Sequence, residues 1–307
     1  MSGPRSKDMS EIDDGIKTYI QGFDKLMDPP SLPKNTTILV SGPMGSGKTT
    51  FIIDYIVKGL IRDKHFGIFV SLEETVDNII KDYQRFLWGT KEPNAIRIRD
   101  LILTKEHLET TQSLDGKLLF IDGVKKRVSG EFGIDFRSAK DITDLISEDG
   151  IIYLYDISDL CELLDAVLKI AVEKYGVKYI RLGLDSLTAY LSAIAGAIGL
   201  GGSQQGATHE FAVLDALRRN LLDLRNVLES YPVTALMSGE AFKEEQTRYG
   251  VEEFISRGVI FLGYLWMGSK RIRYLTIVKM RGRQHQMARY SFEINIKYGI
   301  RLLSEVF

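Results

Sequence analysis

The 307-residue chain is poor in several things, and each shortage excludes something. A single cysteine, Cys161, excludes an internal disulfide and fits a reducing compartment. Neither sign of charge dominates: the formal net charge is −1, so nothing global draws the chain to nucleic acid or an anionic membrane. Long hydrophobic runs are also missing. The longest uncharged stretch is Ser186 to His209. Its apolar part, Leu187 to Gly202, is glycine-rich and shorter than the about 20 residues of a spanning helix. Met1 to Asp14 is polar throughout, unlike the charged-then-apolar build of a signal peptide. A cytoplasmic protein with no membrane partner is expected. Hydrophobic content of 44% and charged content of 26% suit a globular, core-forming chain.

What the chain does contain is Gly42-Pro43-Met44-Gly45-Ser46-Gly47-Lys48-Thr49, a match to the phosphate-binding pattern G-x-x-x-x-G-K-[ST]. Thr37 to Ser41 before it reads as a buried strand, and Thr50 to Leu60 after it has apolar residues at helical spacing. In that setting backbone N–H groups turn inward around a phosphate and the helix N-terminus adds its positive end. Lys48 is expected to reach the β- and γ-phosphates and Thr49 to ligate Mg²⁺. Residues 42–49, with Thr50, are the candidate nucleotide-binding residues, and no second copy of the loop occurs.

Strand and helix patterns then alternate. Strands are expected at 37–41, 67–72, 117–122, 177–185 and 233–238, and helices at 50–62, 76–86, 157–174 and 211–230. This is an α/β fold with a mostly parallel central sheet covered on both faces. Beyond Gly258, runs at 259–265, 272–279, 289–296 and 300–307 predict antiparallel strands added at the sheet edge. Residues 1–17 read as a polar tail, and residues 18–307 as one domain.

Hydrolysis also needs a Mg²⁺ orienter and a group that positions water. Tyr179 to Asp185 is an apolar strand ending in an acid, which makes Asp185 the candidate metal ligand. Many nucleotide triphosphatases carry a glutamate base next, but here Ser186 follows. The segment Val70-Ser71-Leu72-Glu73-Glu74-Thr75 offers two carboxylates at another strand tip, where ligands sit in open α/β sheets. Glu73 or Glu74 is therefore the candidate base; the alternative is a solvated acidic helix start.

This order of motifs resembles the KaiC-like ATPases of the RecA superfamily. VSLEET lies twenty-five residues beyond the lysine, followed by the strand ending Asp185-Ser186. Further agreement comes from Ile20 to Asp24, Tyr249 to Phe254 and Lys279-Met280-Arg281-Gly282-Arg283-Gln284-His285, so the similarity spans about Ile16 to Leu303. The resemblance implies a RecA-like fold, ATP and Mg²⁺ as ligands, and a homo-oligomer, usually a hexameric ring, with ATP between subunits. It further implies that Lys279 and Arg281 act on the neighbouring subunit's γ-phosphate, with His285 a lesser contact. The tandem-domain clock members autophosphorylate a Ser-Thr pair that aligns near Glu253-Phe254. No hydroxyl stands there, so neither autokinase activity nor a circadian role is implied.

Composition points to the same segment. From Ser269 to Arg301 nine basic residues face one acid, Glu293. Such a concentration can serve ATP of an adjacent subunit, a nucleic acid strand, or an edge strand protected against pairing. No lysine or arginine occurs from Leu182 to Leu217, so the glycine-rich stretch Leu191 to Ala207, expected to be a loop, is ill suited to a DNA backbone. It is expected instead to be a mobile channel element or to dock a protein partner. Three functions remain: a slow ATPase used as a conformational switch, a single-strand-binding repair accessory, and a nucleotide-sensing scaffold.

Overall fold

The computed structural model describes residues 15–89, 95–125, 136–199, 207–243, 246–247 and 250–306. In chain order its main elements are β1 (Thr37–Gly42), α1 (Lys48–Asp63), β2 (Phe66–Ser71), α2 (Val76–Tyr83), β3 (Leu118–Asp122), β4 (Ile151–Tyr153), α3 (Leu160–Glu173), β5 (Ile180–Asp185), α4 (Leu187–Gly199) and α5 (Ala207–Glu229). They continue with β6 (Val233–Lys243), β7 (Gly258–Met267), β8 (Lys270–Met280), β9 (Arg289–Asn295) and β10 (Gly299–Val306).

The main sheet runs β10-β9-β8-β7-β1-β6-β5-β2-β3-β4. From β7 to β4 all neighbours are parallel, while β8, β9 and β10 are added antiparallel. Every residue of β1, β2 and β5 is buried, as helices on both faces require. Ile38, Val40 and Phe69 pack with α1 and α2 on one face. Leu39, Val70, Leu182 and Leu184 pack with α3, α4 and α5 on the other. Among the described residues no helix is long and apolar enough to cross a membrane.

Two expectations are corrected. The run 259–265 does not open an antiparallel edge, because β7 pairs parallel with β1, Gly258 opposite Ile38 and Phe261 opposite Ser41. Alternation of side chains fixes the faces of a strand but not its direction. The stretch from Leu191 is not a loop as far as Gly199, since α4 occupies it. Leu187, Tyr190, Leu191 and Ile194 are buried at helical spacing, which overrides the glycines. Residues 200–206 of that stretch, like residues 1–14, lie outside the described ones.

A buried charge ties the start of the domain to the strand that carries Asp185. Arg181, the second residue of β5, is fully buried against α1. Burial of a charge is tolerable only when every donor is matched. Here Nη1 donates to the Tyr55 carbonyl at 2.9 Å, and Nη2 to the Lys17 carbonyl and Asp63 carboxylate at 2.8 Å. Nε donates to His65 Nδ1 at 3.1 Å. Burial, then the Arg181 charge, push His65 down to about 4, so its imidazole stays neutral and can accept. Gly59 makes the room: a Cβ there would meet Arg181 Nε at 1.8 Å.

Candidate functional site

Register aligns the C-terminal ends of the parallel strands. Gly42 lies opposite Glu240 of β6, and Ser71 of β2 lies opposite both Asp185 and Asp122. The sequence Gly42–Thr49 therefore turns at the edge where Asp185 and the 73–74 pair also arrive. Gly47 caps α1 with φ 108°, a left-handed conformation that favours glycine, and Phe51 N–H bonds back to its carbonyl at 2.9 Å. Lys48 Nζ donates to the loop carbonyls of Gly42 and Pro43 at 3.0 and 3.1 Å. Burial lowers its pKa, and the charges of Asp185, Glu73 and Glu240 oppose that shift.

Thr49 Oγ1 donates to Asp185 Oδ2 at 2.6 Å, so the two predicted metal ligands meet. Ser238 of β6 donates to the other Asp185 oxygen, fixing the carboxylate from the neighbouring strand. Ser186 Oγ donates to Glu73 Oε1, and its oxygen also receives the Ala189 N–H at 3.1 Å. Glu73 is thereby oriented beside Lys48. Glu74 is exposed; burial, then Asp82 and Asp185, raise its pKa, with Asn78 opposing. Asp122 is committed elsewhere, accepting the Val76 N–H that opens α2 and the N–H groups of Val124 and Lys125. Thr50 Oγ1 shares a 2.7 Å hydrogen bond with the Tyr83 hydroxyl of α2.

Sequence reasoning missed four contributors. Ser238 and Glu240 stand at the end of a strand that it did identify, so the rule that ligands gather at C-terminal strand ends could have found them. Tyr264 and Arg273 carried no such signal. They come from β7 and β8, which extend past the end of β1. Arg273 Nη2 makes a long 3.4 Å hydrogen bond to the Gly45 carbonyl, and the Arg271 guanidinium stacks 3.6 Å from the Tyr264 ring centre.

Two buried polar atoms at this loop, Ser46 Oγ and Arg273 Nε, have no hydrogen-bond partner among the described residues. Orphaned donors around a turn of backbone N–H groups suit a phosphate chain. Among the described residues no cluster of three or more His, Cys, Asp or Glu could hold a metal. Mg²⁺ beside phosphates needs fewer protein ligands, and the Thr49–Asp185 pair fits that.

Lys279, Arg281 and His285 do not join this site in their own chain. Lys279 lies opposite Val259, which pairs with Leu39, and the Arg281 N–H bonds to the Arg257 carbonyl beside Thr37. Thr37 and Gly42 are five strand residues apart, about 17 Å. Lys279 Nζ donates to the Glu253 carbonyl at 2.9 Å, and burial followed by the Arg281 charge lowers its pKa. Arg281 is exposed. His285 pairs with Met27 in a short antiparallel ladder. The aligned position Phe254 falls among side chains that are not described.

The family profile described as "ATPase: KaiC" matches residues 16–119 and 207–306. The circadian clock oscillator protein KaiC of Thermostichus vulcanus is 28% identical over 298 residues, 96% of this chain and 45% of the relative. That of Synechococcus elongatus is 27% identical over 304 residues, covering 98% and 46%. The chain thus spans less than half the length of these curated relatives. In fold it resembles the crystal structure of a KaiC-like protein from the archaeon Pyrococcus horikoshii OT3. There the TM-score is 0.60 and the identity 27%, with 94% of this chain and 99% of the other covered. The chain belongs to the KaiC ATPase family and has its RecA-like fold.

Proposed function

We propose that this member of the KaiC family is a slow, oligomeric ATPase that uses hydrolysis as a conformational switch, with each nucleotide shared between two subunits. The observation that carries this reading is the convergence of Lys48, Thr49, Asp185 and the Ser186–Glu73 pair on one strand edge. Lys48 leaves the carbonyls of Gly42 and Pro43 to bind the β- and γ-phosphates. Thr49 and Asp185, on opening their mutual hydrogen bond, would hold Mg²⁺, which would neutralise charge building on the phosphate oxygens.

Glu73, steered by the Ser186 hydroxyl, orients the attacking water and accepts its proton. Glu74, pointed toward solvent, tunes the local charge. Arg273 steadies the loop from within the chain through the Gly45 carbonyl. Lys279 and Arg281, too far from their own loop, reach the γ-phosphate of the neighbouring subunit, and His285 helps to position that segment. The assembly expected from the family resemblance is a hexameric ring, in which the nucleotide state is passed to a protein partner. Cytoplasmic residence follows from the same reading.

The Glu73→Gln, Glu74→Gln double variant tests it. Turnover should fall by about 10²–10⁴-fold while ATP binding, followed by equilibrium dialysis, stays close to that of the unaltered protein. Unchanged turnover would remove both glutamates from the chemistry.

A further inference from the structure

On the flank of α1 remote from the phosphate loop lies a cavity of about 360 Å³. That lies within the range of about 300–1,000 Å³ typical of small-molecule sites. Trp88, Tyr19 and Tyr298 line it. The polar atom of each ring is already spent on a carboxylate. Trp88 Nε1–H donates to Asp54 at 2.7 Å, the Tyr19 hydroxyl to Asp63 at 2.5 Å, and the Tyr298 hydroxyl to Glu293 at 2.6 Å. Trp88 is buried and stacks on Phe86, so it backs the cavity, while the half-buried rings of Tyr19 and Tyr298 offer it mainly carbon and π-surface.

Lys58, Arg62 and Lys297, with Gln21 and Ile61, complete the lining. Lys58 is paired with buried Asp54 at 2.6 Å. The side chains of Arg62 and Lys297 make no ion pair or hydrogen bond among the described residues. The acids that might have matched them are engaged: Asp63 with Arg181, and Glu293 with Arg301. An aromatic floor under two uncompensated cations suits a ligand that is both planar and anionic.

We propose that this cavity binds a small aromatic anion of the nucleoside monophosphate class and acts as an effector site behind the nucleotide site. Two rigid connections lead from it to the phosphate loop. Arg62 sits on the helix that begins with Lys48 and Thr49, fourteen residues further along, or about 21 Å. Tyr19 and Asp63 lead through Arg181 into β5, which ends at Asp185. The effector role rests on the ATPase reading above; the binding itself does not.

Binding is measured in a Lys48→Ala, Trp266→Phe background, which disables the phosphate loop and leaves Trp88 as the sole tryptophan. Titration with AMP should give a saturable change in Trp88 fluorescence near or below about 1 mM. Adenosine, lacking the charge, and ribose 5-phosphate, lacking the ring, should each bind at least about tenfold more weakly. Adding Arg62→Ala and Lys297→Ala, with the fold checked by circular dichroism, should weaken AMP by a similar factor. Absence of saturation, equal binding of ribose 5-phosphate, or indifference to the double substitution would overturn the site. In the otherwise unaltered protein, AMP should change the ATP turnover rate, and Arg62→Ala with Lys297→Ala should abolish that response while leaving basal turnover intact. A turnover rate that ignores AMP would overturn the effector role even with binding established.

Discussion

At the C-terminal end of the parallel strands, polar side chains from β5, β6 and β8 and from the loops after β1 and β2 meet at the phosphate loop. Toward the opposite end, Arg281 lies exposed beside Thr37, about 17 Å below that loop, and Lys279, level with Leu39, rests on a backbone carbonyl. In the first region Asp185 and Glu73 are oriented by hydroxyls, and the lysine is half-buried. In the second, Lys279 and Arg281 form no ion pair among the described residues, although the Glu253 charge acts weakly on Lys279. The contrast is what the proposed division requires, with the binding half built into one subunit and the charge-stabilising half presented outward.

The sharpest way to break the contrast is to remove the outward half. Arg281→Ala should lower ATP turnover by about 10³-fold or more, as loss of an arginine finger does. Thermal stability should stay close to that of the unaltered protein, since Arg281 is an exposed side chain. A steady-state phosphate-release assay reads the first and calorimetry the second. Turnover within a factor of two would place the segment among solvated edge strands.

Within the first region, Arg273→Ala should have a smaller effect, about tenfold on turnover or KM, because one long hydrogen bond to the Gly45 carbonyl is lost and the half-buried side chain with it. An effect as large as that of Arg281→Ala would mean that the transition-state arginine acts within the chain and would erase the division.

Much of the first region was legible in the sequence. The phosphate loop, Asp185 and the Glu73–Glu74 pair are each local signals, a short motif at the end of an apolar run. Ser186 in place of the customary glutamate directed attention to the 73–74 strand tip, and in the structure the same serine holds Glu73. The rest depended on long-range pairing. That β7 joins β1 in parallel, and so carries Tyr264 to the loop together with Arg273 of β8, follows from a chain crossing that side-chain alternation does not encode. The helix at Leu187–Gly199 was legible in the spacing of its buried residues but was outweighed by its glycines. Nothing in the sequence marked Arg181; its partners lie 116 to 164 residues away and only folding brings them together.

That buried cluster gives the smallest expected effect and a control on the fold as a whole. The folded-state pKa of His65 is lowered from 6.5 to about 4, so its neutral form is the native one. Between those values the unfolded chain binds the extra proton and the folded chain does not, so stability is fully present above pH 6.5 and falls as the pH drops toward 4. His65→Gln should flatten that part of the stability–pH profile measured by urea unfolding, with little change at pH 8. An unaltered profile would mean that His65 is not the neutral acceptor of Arg181.

Mixing two inactive variants tests the division of the site most directly. Arg281→Ala keeps an intact phosphate loop, and Lys48→Ala keeps an intact outward segment. Subunits that share sites should regain turnover when the two are mixed and reassembled with ATP, because some interfaces then pair a good loop with a good arginine. Turnover no greater than the sum of the separate variants would contradict the shared site.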